Sequence, residues 1–281
     1  ANVAIEVPKG ENSSGENRFT DITIRIKDVA GLVPGAYVGR GKGNRFLNDL
    51  LDADVLIHVV DVSGESDSSG NIGGKGDPME DIVWVHRELH MWIYFNVIHK
   101  WQAILRRPEK FVDMFAGYHA TPDFIYEALR RCGIDNLDTE TICGWTPLDL
   151  HKIIAHFIEL RFPIFLCLNK VDKLDARSSA MHENIRNVAA EFSKARFHPA
   201  CAKDGLGVKS CIEKAMQLRL PYLVFPVKEF FHRDNAMCGL VSKTRFGDCL
   251  PFKHGSTVEN VYTCLCRENA LFGEFVRAEI L

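Results

Sequence analysis

No stretch of this 281-residue chain comes near the run of about 18–20 apolar residues that a membrane-crossing helix needs. The opening residues lack the charged-then-apolar pattern of a secretory leader, and a first residue of Ala rather than Met fits a processed or truncated product. The nine Cys form no C-x-x-C pair, and the one close pair, Cys264 and Cys266, has no partners at zinc spacing. Reduced thiols are expected, which points to the cytoplasm. A net charge of −3 gives no overall basic field, so DNA is not an expected partner and any RNA contact must be a local patch. One further absence is chemical. The sequence G-x-x-x-x-G-K-[ST], whose backbone N–H groups cradle nucleotide phosphates, occurs nowhere in the chain.

What is present is ordinary in bulk. A hydrophobic share of 46% and a charged share of 25% suit a globular protein, and the length suits one large domain plus a small one. Residues 20–28 alternate, with Ile22, Ile24 and Ile26 on one face, and predict a strand; a shorter strand is expected over 2–7, with a loop over 9–17. Five glycines between 31 and 43 exclude a regular element there. The run 55–62 is almost continuously apolar, as in a parallel strand buried on both faces. Asp77, Pro78 and Glu80 announce a helix whose stripe runs through Ile82, Val85, Leu89, Ile93, Val97, Trp101 and Ile104. More helices are expected over 121–132 and 146–160. Strand 163–168, helix 180–196, strand 197–202 and helix 208–219 follow. The pattern changes near residue 220, where short strands over 222–227 and 275–280 flank a capping box at Ser256-Thr257-Val258-Glu259. Strands alternating with helices predict a doubly wound parallel sheet that binds ligands at the carboxyl ends of its strands.

Three motifs fall at such ends. Asp28-Val29-Ala30-Gly31 is D-x-x-G: a carboxylate that can hold Mg²⁺ through water, and a glycine whose N–H can approach a terminal phosphate. Taken alone, that tetrapeptide also suits an ordinary strand-to-loop turn. Asn169-Lys170-Val171-Asp172 is more specific. A carboxylate at Asp172 can accept from both N1–H and the exocyclic amine of guanine, donors that adenine does not pair in this way. The Lys170 stem can lie over the base, and Asn169 can brace the neighbouring loop. Cys201-Ala202-Lys203 after the next strand matches the S-A-K element that meets guanine O6, with Cys in place of Ser.

The run Asp28 to Leu47, D-V-A-G-L-V-P-G-A-Y-V-G-R-G-K-G-N-R-F-L, resembles switch II of the Obg-like GTPases, nearest to the archaeal and eukaryotic branch. The run from Ala53 to Asp61 and the helical insertion fit the same family. The last 60 or so residues, through L-P-F-K-H-G-S-T-V-E, resemble its TGS domain. The resemblance implies a fold of class α/β, a Ras-like doubly wound, mostly parallel sheet that is incomplete. A Ras-like domain over 1–219 would carry a helical insertion at about 78–160, and a small α+β β-grasp module of TGS type, shortened at its end, would occupy 220–281. It implies a GTP-binding protein that hydrolyses GTP to GDP and phosphate as a switch near translation, with GTP and Mg²⁺ as cofactors. Asp28 would serve the metal, Gly31 the γ-phosphate, Asn169, Lys170 and Asp172 the guanine, and Ala202 and Lys203 would close over the base. A ribosome or RNA contact through the TGS-like module, and no membrane contact, complete the expectation.

The chain departs from the family pattern upstream, where the Walker A loop and the switch I Thr would lie before residue 1. Leu32 stands where Ras-like enzymes carry a water-positioning Gln, a hydrophobic change that the Obg-like family shares. Without a central phosphate-loop strand, the strands flanking its place have unpaired edges. A different class therefore stays open: a non-catalytic scaffold or an RNA- or protein-interaction module derived from a GTPase. The remaining candidates have plainer readings. His86 and His90 lack a third metal ligand and suit an interface. Trp84, Trp92, Trp101, Tyr94 and Phe95 suit helix packing. Arg40, Lys42 and Arg45, like Lys243, Arg245, Lys253 and His254, suit solvated faces.

Overall fold

The computed structural model describes residues 2–11, 17–29, 35, 37, 48–66, 76–173, 179–219, 222–224, 250–252 and 256–267. Packing divides the chain into two compact units, Ala1–Asp28 with Leu220–Leu281, and Val29–Arg219. The first unit opens with an antiparallel hairpin of β1 (Asn2–Glu11) and β2 (Asn17–Arg25). Both strands differ from the sequence expectation. β1 continues to Glu11 through the Lys9-Gly10 stretch expected as loop, and β2 stops at Arg25, three residues before Asp28. The register shifts between Pro8 and Gly10, a bulge where Pro8 has no N–H to give the ladder.

The second unit is built on a parallel sheet in the order β3 (Leu56–Asp61), β4 (Ile164–Asn169), β5 (Phe197–Pro199). β4 is central and apolar on both faces, as its continuous run predicts. Leu166 and Leu168 pack with Val60, Val62, Ile82, Met181 and Val188 on one side. Phe165 and Cys167 pack with Ala200, Cys211 and Ala215 on the other. Among the described residues β3 has no partner on its outer side, and its alternate residues Ile57 and Val59 are 38% and 56% exposed, so one face of β3 is open where its apolar run predicts burial on both.

Between β3 and β4 the chain makes the expected helical insertion. α1 (Pro78–His99) starts as predicted: the Asp77 carboxylate accepts from the Met79 N–H at 2.8 Å and Pro78 takes the first turn. Short helices α2 (Trp101–Arg106) and α3 (Glu109–Asp113), a 3₁₀ turn (Met114–Tyr118), α4 (Pro122–Arg131) and α5 (Thr139–Cys143) follow. α6 (Pro147–Arg161) then leads into β4, opened by a capping box between Thr146 and Asp149. The insertion has its own core, in which Phe157 meets Phe115 with ring centres 4.5 Å apart and Phe111 meets Phe115 at 5.2 Å. Trp92 and Trp101 pack within it as the sequence indicates. The buried Arg161 ties the insertion to the loop before β3. Its guanidinium donates to the carbonyls of Leu51, Ala53, Tyr118 and His119.

α7 (Ser179–Glu191) and α8 (Val208–Gln217) complete the second unit; their buried residues Met181 and Val188, and Cys211 and Ala215, cover opposite faces of β4. In the first unit, β6 (Tyr222–Val224) pairs antiparallel with β7 (Leu250–Phe252), and α9 (Val258–Arg267) follows. The cap of α9 is one residue later than expected. Thr257 and Asn260 exchange the bonds predicted for Ser256 and Glu259. The strand expected over 275–280, and the basic residues Lys243, Arg245, Lys253, His254, Arg40, Lys42 and Arg45, lie outside the described residues.

Histidines line the junction of sheet and insertion. His90 Nε2 lies 2.8 Å from His151 Nδ1, joining α1 to α6. Burial, with His151 adding, lowers the pKa of His90 to about 4. Burial, with His86 adding, does the same to His58. An unfolded chain protonates both near pH 6.5, so it binds protons that the fold refuses. Stability therefore falls as pH drops from about 6.5 to about 4. Urea unfolding should show a lower midpoint at pH 4.5 than at pH 7, and the variant His90→Gln should lose less over that interval than the natural chain.

Candidate functional site

The site grows out of the register between β3 and β4. Pairing in parallel sets Asp61 beside Asn169 at the carboxyl ends of the two strands. Beyond Asn169 the backbone turns sharply: Lys170 has φ +70°, a left-handed conformation that costs a non-glycine residue about 1–2 kcal/mol. A 3₁₀ turn (Val171–Lys173) follows, and Asp172 on it is exposed.

Two interactions hold this turn. Lys170 Nζ lies 2.6 Å from Asp61 Oδ2, and the Asp61 carboxylate also accepts from the Ser63 N–H at 3.0 Å, from Ser63 Oγ at 2.6 Å and from Ser66 Oγ. Burial works against the charged form of Asp61. The bonds from Lys170, Ser63 and Ser66 outweigh it and bring the pKa down to about 2. The second interaction runs the other way across the sheet. The Asn169 side-chain oxygen accepts from the Ala202 N–H at 2.9 Å, and the Val171 N–H reaches the Ala200 carbonyl at 3.3 Å. The strand carrying Asn169 and the loop carrying Ala202 and Lys203 are thus fastened to each other, with Asp172, Ala202 and Lys203 all exposed.

Cys201 is buried at 1% exposure and its thiol donates to Asp204 at 3.2 Å. Asp172, Cys201 and Asp204 have ligand atoms within 4.8 Å of one another. Burial, with bonds to Asp204 and Asp172, pushes the Cys201 thiol up, away from the thiolate that a metal would need. The cysteine standing where S-A-K has Ser acts as a protonated donor under the loop.

The other sequence candidates are placed differently. Asp28 lies in the first unit, exposed, just past β2. Gly31 and Leu32 lie outside the described residues. Asp61 carries no role in the sequence reading, although it closes the run Val59-Val60-Asp61. Only the parallel register of β3 and β4 brings it beside the Asn169-Lys170 turn.

Replacing Asp61 by Asn should cost about 1.5–3 kcal/mol in urea unfolding at pH 7, because charged hydrogen bonds are lost. Lys170→Met should cost less. The double variant should fall short of the sum by about 0.5–3 kcal/mol, the coupling of a contacting pair. The folded pKa of Asp61 is depressed, so its contribution is present above pH 4 and lost as pH falls toward 2; Asp61→Asn should flatten that loss.

No family model matches the chain. It is 38% identical over 170 residues, 57% of its length and 40% of the relative's, to an uncharacterized GTP-binding protein of Schizosaccharomyces pombe. It is 35% identical over 211 residues, 73% of its length and 51% of the relative's, to an uncharacterized GTP-binding protein of Methanocaldococcus jannaschii. A ribosome-binding ATPase, YchF, of Buchnera aphidicola is 40% identical over 73 residues, 26% of this chain and 20% of that protein. The chain thus spans about half the length, or less, of the curated relatives it matches. Among solved structures, a GTP-binding protein from Pyrococcus horikoshii superposes with a TM-score of 0.60 at 19% identity, over 94% of this chain and 82% of that one, and shares its fold. Together with the Asn169–Asp172 turn, the sequence relatives show that the chain belongs to the Obg-like GTPase family.

Proposed function

We propose that the loops after β4 and β5 form the base pocket of a guanine-nucleotide switch. The observation that carries this reading is the Asn169–Ala202 hydrogen bond beside the exposed Asp172 carboxylate. It fixes two loops at the carboxyl ends of adjacent parallel strands, where doubly wound sheets bind ligands. Asp172 accepts from guanine N1–H and the exocyclic amine. The Lys170 ammonium, drawn toward Asp61, leaves its methylene stem to cover one face of the base. The Ala202 N–H already serves Asn169, so it orients the loop, and the Lys203 backbone closes the pocket. Mg²⁺ would supply charge neutralisation at the β- and γ-phosphates. Asp28 would support that ion, and the Gly31 N–H would meet the γ-phosphate.

The whole protein would hydrolyse GTP to GDP and phosphate; the names of two relatives support the GTP-binding part of this reading. The ribosome-binding name of one relative supports a place near translation, with the TGS-like module of residues 220–281 as the contacting part. The 281 residues themselves contain no G-x-x-x-x-G-K-[ST] sequence, so they should hold GTP weakly. The rival reading, a scaffold that has kept the sheet without the phosphate site, predicts no base selectivity at all.

Saturation-transfer NMR at millimolar nucleotide should give contacts to the guanine ring of GTP and none to the adenine of ATP. Equal signals, or none, would favour the scaffold. A fluorescent GTP titration that gave tight, Mg²⁺-dependent binding would refute the expected weakness. Asp172→Asn exchanges one acceptor for a donor, which suits a carbonyl at C2 instead of an amine. It should weaken GTP roughly tenfold to a hundredfold and shift preference toward xanthosine triphosphate in the same competition.

A further inference from the structure

Glu88 is out of place by the ordinary rules of helix surfaces. It lies on α1, a residue type that rarely enters a core, yet it is only 5% exposed. Its described partners are two backbone N–H groups. Oε1 accepts from Gly35 at 2.7 Å and Oε2 from Tyr37 at 3.1 Å. Both donors belong to the glycine-rich run after Gly31. Gly35 has φ +87°, which a glycine adopts without strain and which lets alternate N–H groups turn toward one anion. A carboxylate taken from water is costly unless it is hydrogen-bonded, and bonds to a charged acceptor are among the stronger ones.

A second contact ties the same stretch to the same helix. The Tyr37 ring stacks on Phe95, centres 5.4 Å apart and planes within 4°. Phe95 meets Tyr94 edge-on at 5.8 Å, and Tyr94 stacks on His151 of α6 at 4.1 Å. The loop is therefore attached through two side chains to α1 and, through a run of rings, to α6.

We infer that Glu88 is a positioning residue by which the helical insertion holds the loop after Gly31, so that release of the loop and rearrangement of the insertion are one event. Gly31 stands four residues before Gly35, a reach of at most about 14 Å. Any shift that a phosphate imposes at Gly31 must then be absorbed within a few residues or passed to the clamp. That last link rests on the guanine-nucleotide reading above; the clamp itself does not. The insertion, on this account, reports the state of the phosphate-sensing loop to whatever binds its outer face.

The test uses hydrogen exchange on the full chain, first without nucleotide. Glu88→Gln keeps the volume but sets an amide N–H₂ against one of the two donors. Exchange at Gly35 and Tyr37 should rise about tenfold or more, and trypsin should cut faster after Arg40, Lys42 and Arg45, while exchange in β4 stays unchanged. Glu88→Asp keeps the charge on a shorter stem and should recover part of the protection. Phe95→Leu, which leaves the carboxylate in place, should speed exchange at Tyr37 and around His151. Should Glu88→Gln fail to fold, the Phe95→Leu result decides the matter. Exchange at Gly35 and Tyr37 within twofold of the natural chain in every folded variant would overturn the clamp. A guanine nucleotide with Mg²⁺ is then added and its binding followed separately by NMR. If it binds, exchange in α1 should change in the natural chain and not in Glu88→Gln; binding without that change would overturn the coupling. Absence of binding would count against the proposed function alone, since the clamp is already decided by the first readout.

Discussion

The parallel register of β3 and β4 is the constraint on which the site depends. It places Asp61 next to Asn169, and both side chains then act outward from the same strand ends in opposite directions. Asp61 draws Lys170 toward β3, and Asn169 draws Ala202 from the loop after β5. Lys170 is in a left-handed conformation that an isolated chain would avoid, and the two attachments on either side over-determine it. A one-residue slip of β3 would turn Asp61 to the other face of the sheet and remove one of them. The burial of Val60 and Val62, against the exposure of Ile57 and Val59 on the opposite face, is what opposes the slip.

A similar logic of buried polar groups joins the insertion to the sheet. Arg161 is 5% exposed and sits at the end of α6, immediately before the turn into β4. Its partners are main-chain carbonyls of the segment before β3 and of the turn before α4. Burial, with Arg219 nearby, lowers its pKa to about 10, still far above neutrality, so it remains charged. The carbonyls satisfy its donors, and its guanidinium stacks 4.5 Å above the Phe162 ring. An arginine so placed fixes geometry more than it adds stability, because desolvating the charge offsets much of what the bonds return. The entry to β3 and the entry to β4 are held by one side chain, and this keeps a long insertion from loosening the register of the two strands it separates.

The sequence was most legible where one residue type must face one environment over several positions. β4 shows as an unbroken apolar run because helices cover both of its faces, and α1 shows by its stripe and its Asp-Pro opening. Asn169 and Asp172 were legible as a tetrapeptide at a strand end. Asp61 was not, because its partner lies 109 residues away and only strand register brings the two together. The length of the β1–β2 hairpin was hidden because Lys9 and Gly10 have loop composition, whereas ladder bonds depend on the opposite strand. At α9, Ser256/Glu259 and Thr257/Asn260 both match capping spacing, and spacing alone does not choose between them. Glu88, between Arg87 and Leu89, has no role in the sequence reading; the N–H groups that its buried carboxylate accepts from lie more than 50 residues earlier.

Asp61 and Glu88 are therefore two uses of the same device. Each is a largely buried carboxylate, on a strand end or a helix, that accepts main-chain N–H groups from a nearby loop. They differ in what else they hold. Asp61 has the Lys170 ammonium and two hydroxyls, so its charge is matched locally and its loop is bound to the sheet. The described partners of Glu88 are neutral N–H groups alone, and its loop is bound to an inserted helix. An ion pair resists opening more than two amide bonds do, since separating it exposes two charges in place of one. The turn after β4 is thus fastened to the sheet by a matched pair of charges. Glu88 holds Gly35 and Tyr37 through two amide bonds with no described cation beside it, the weaker of the two fastenings.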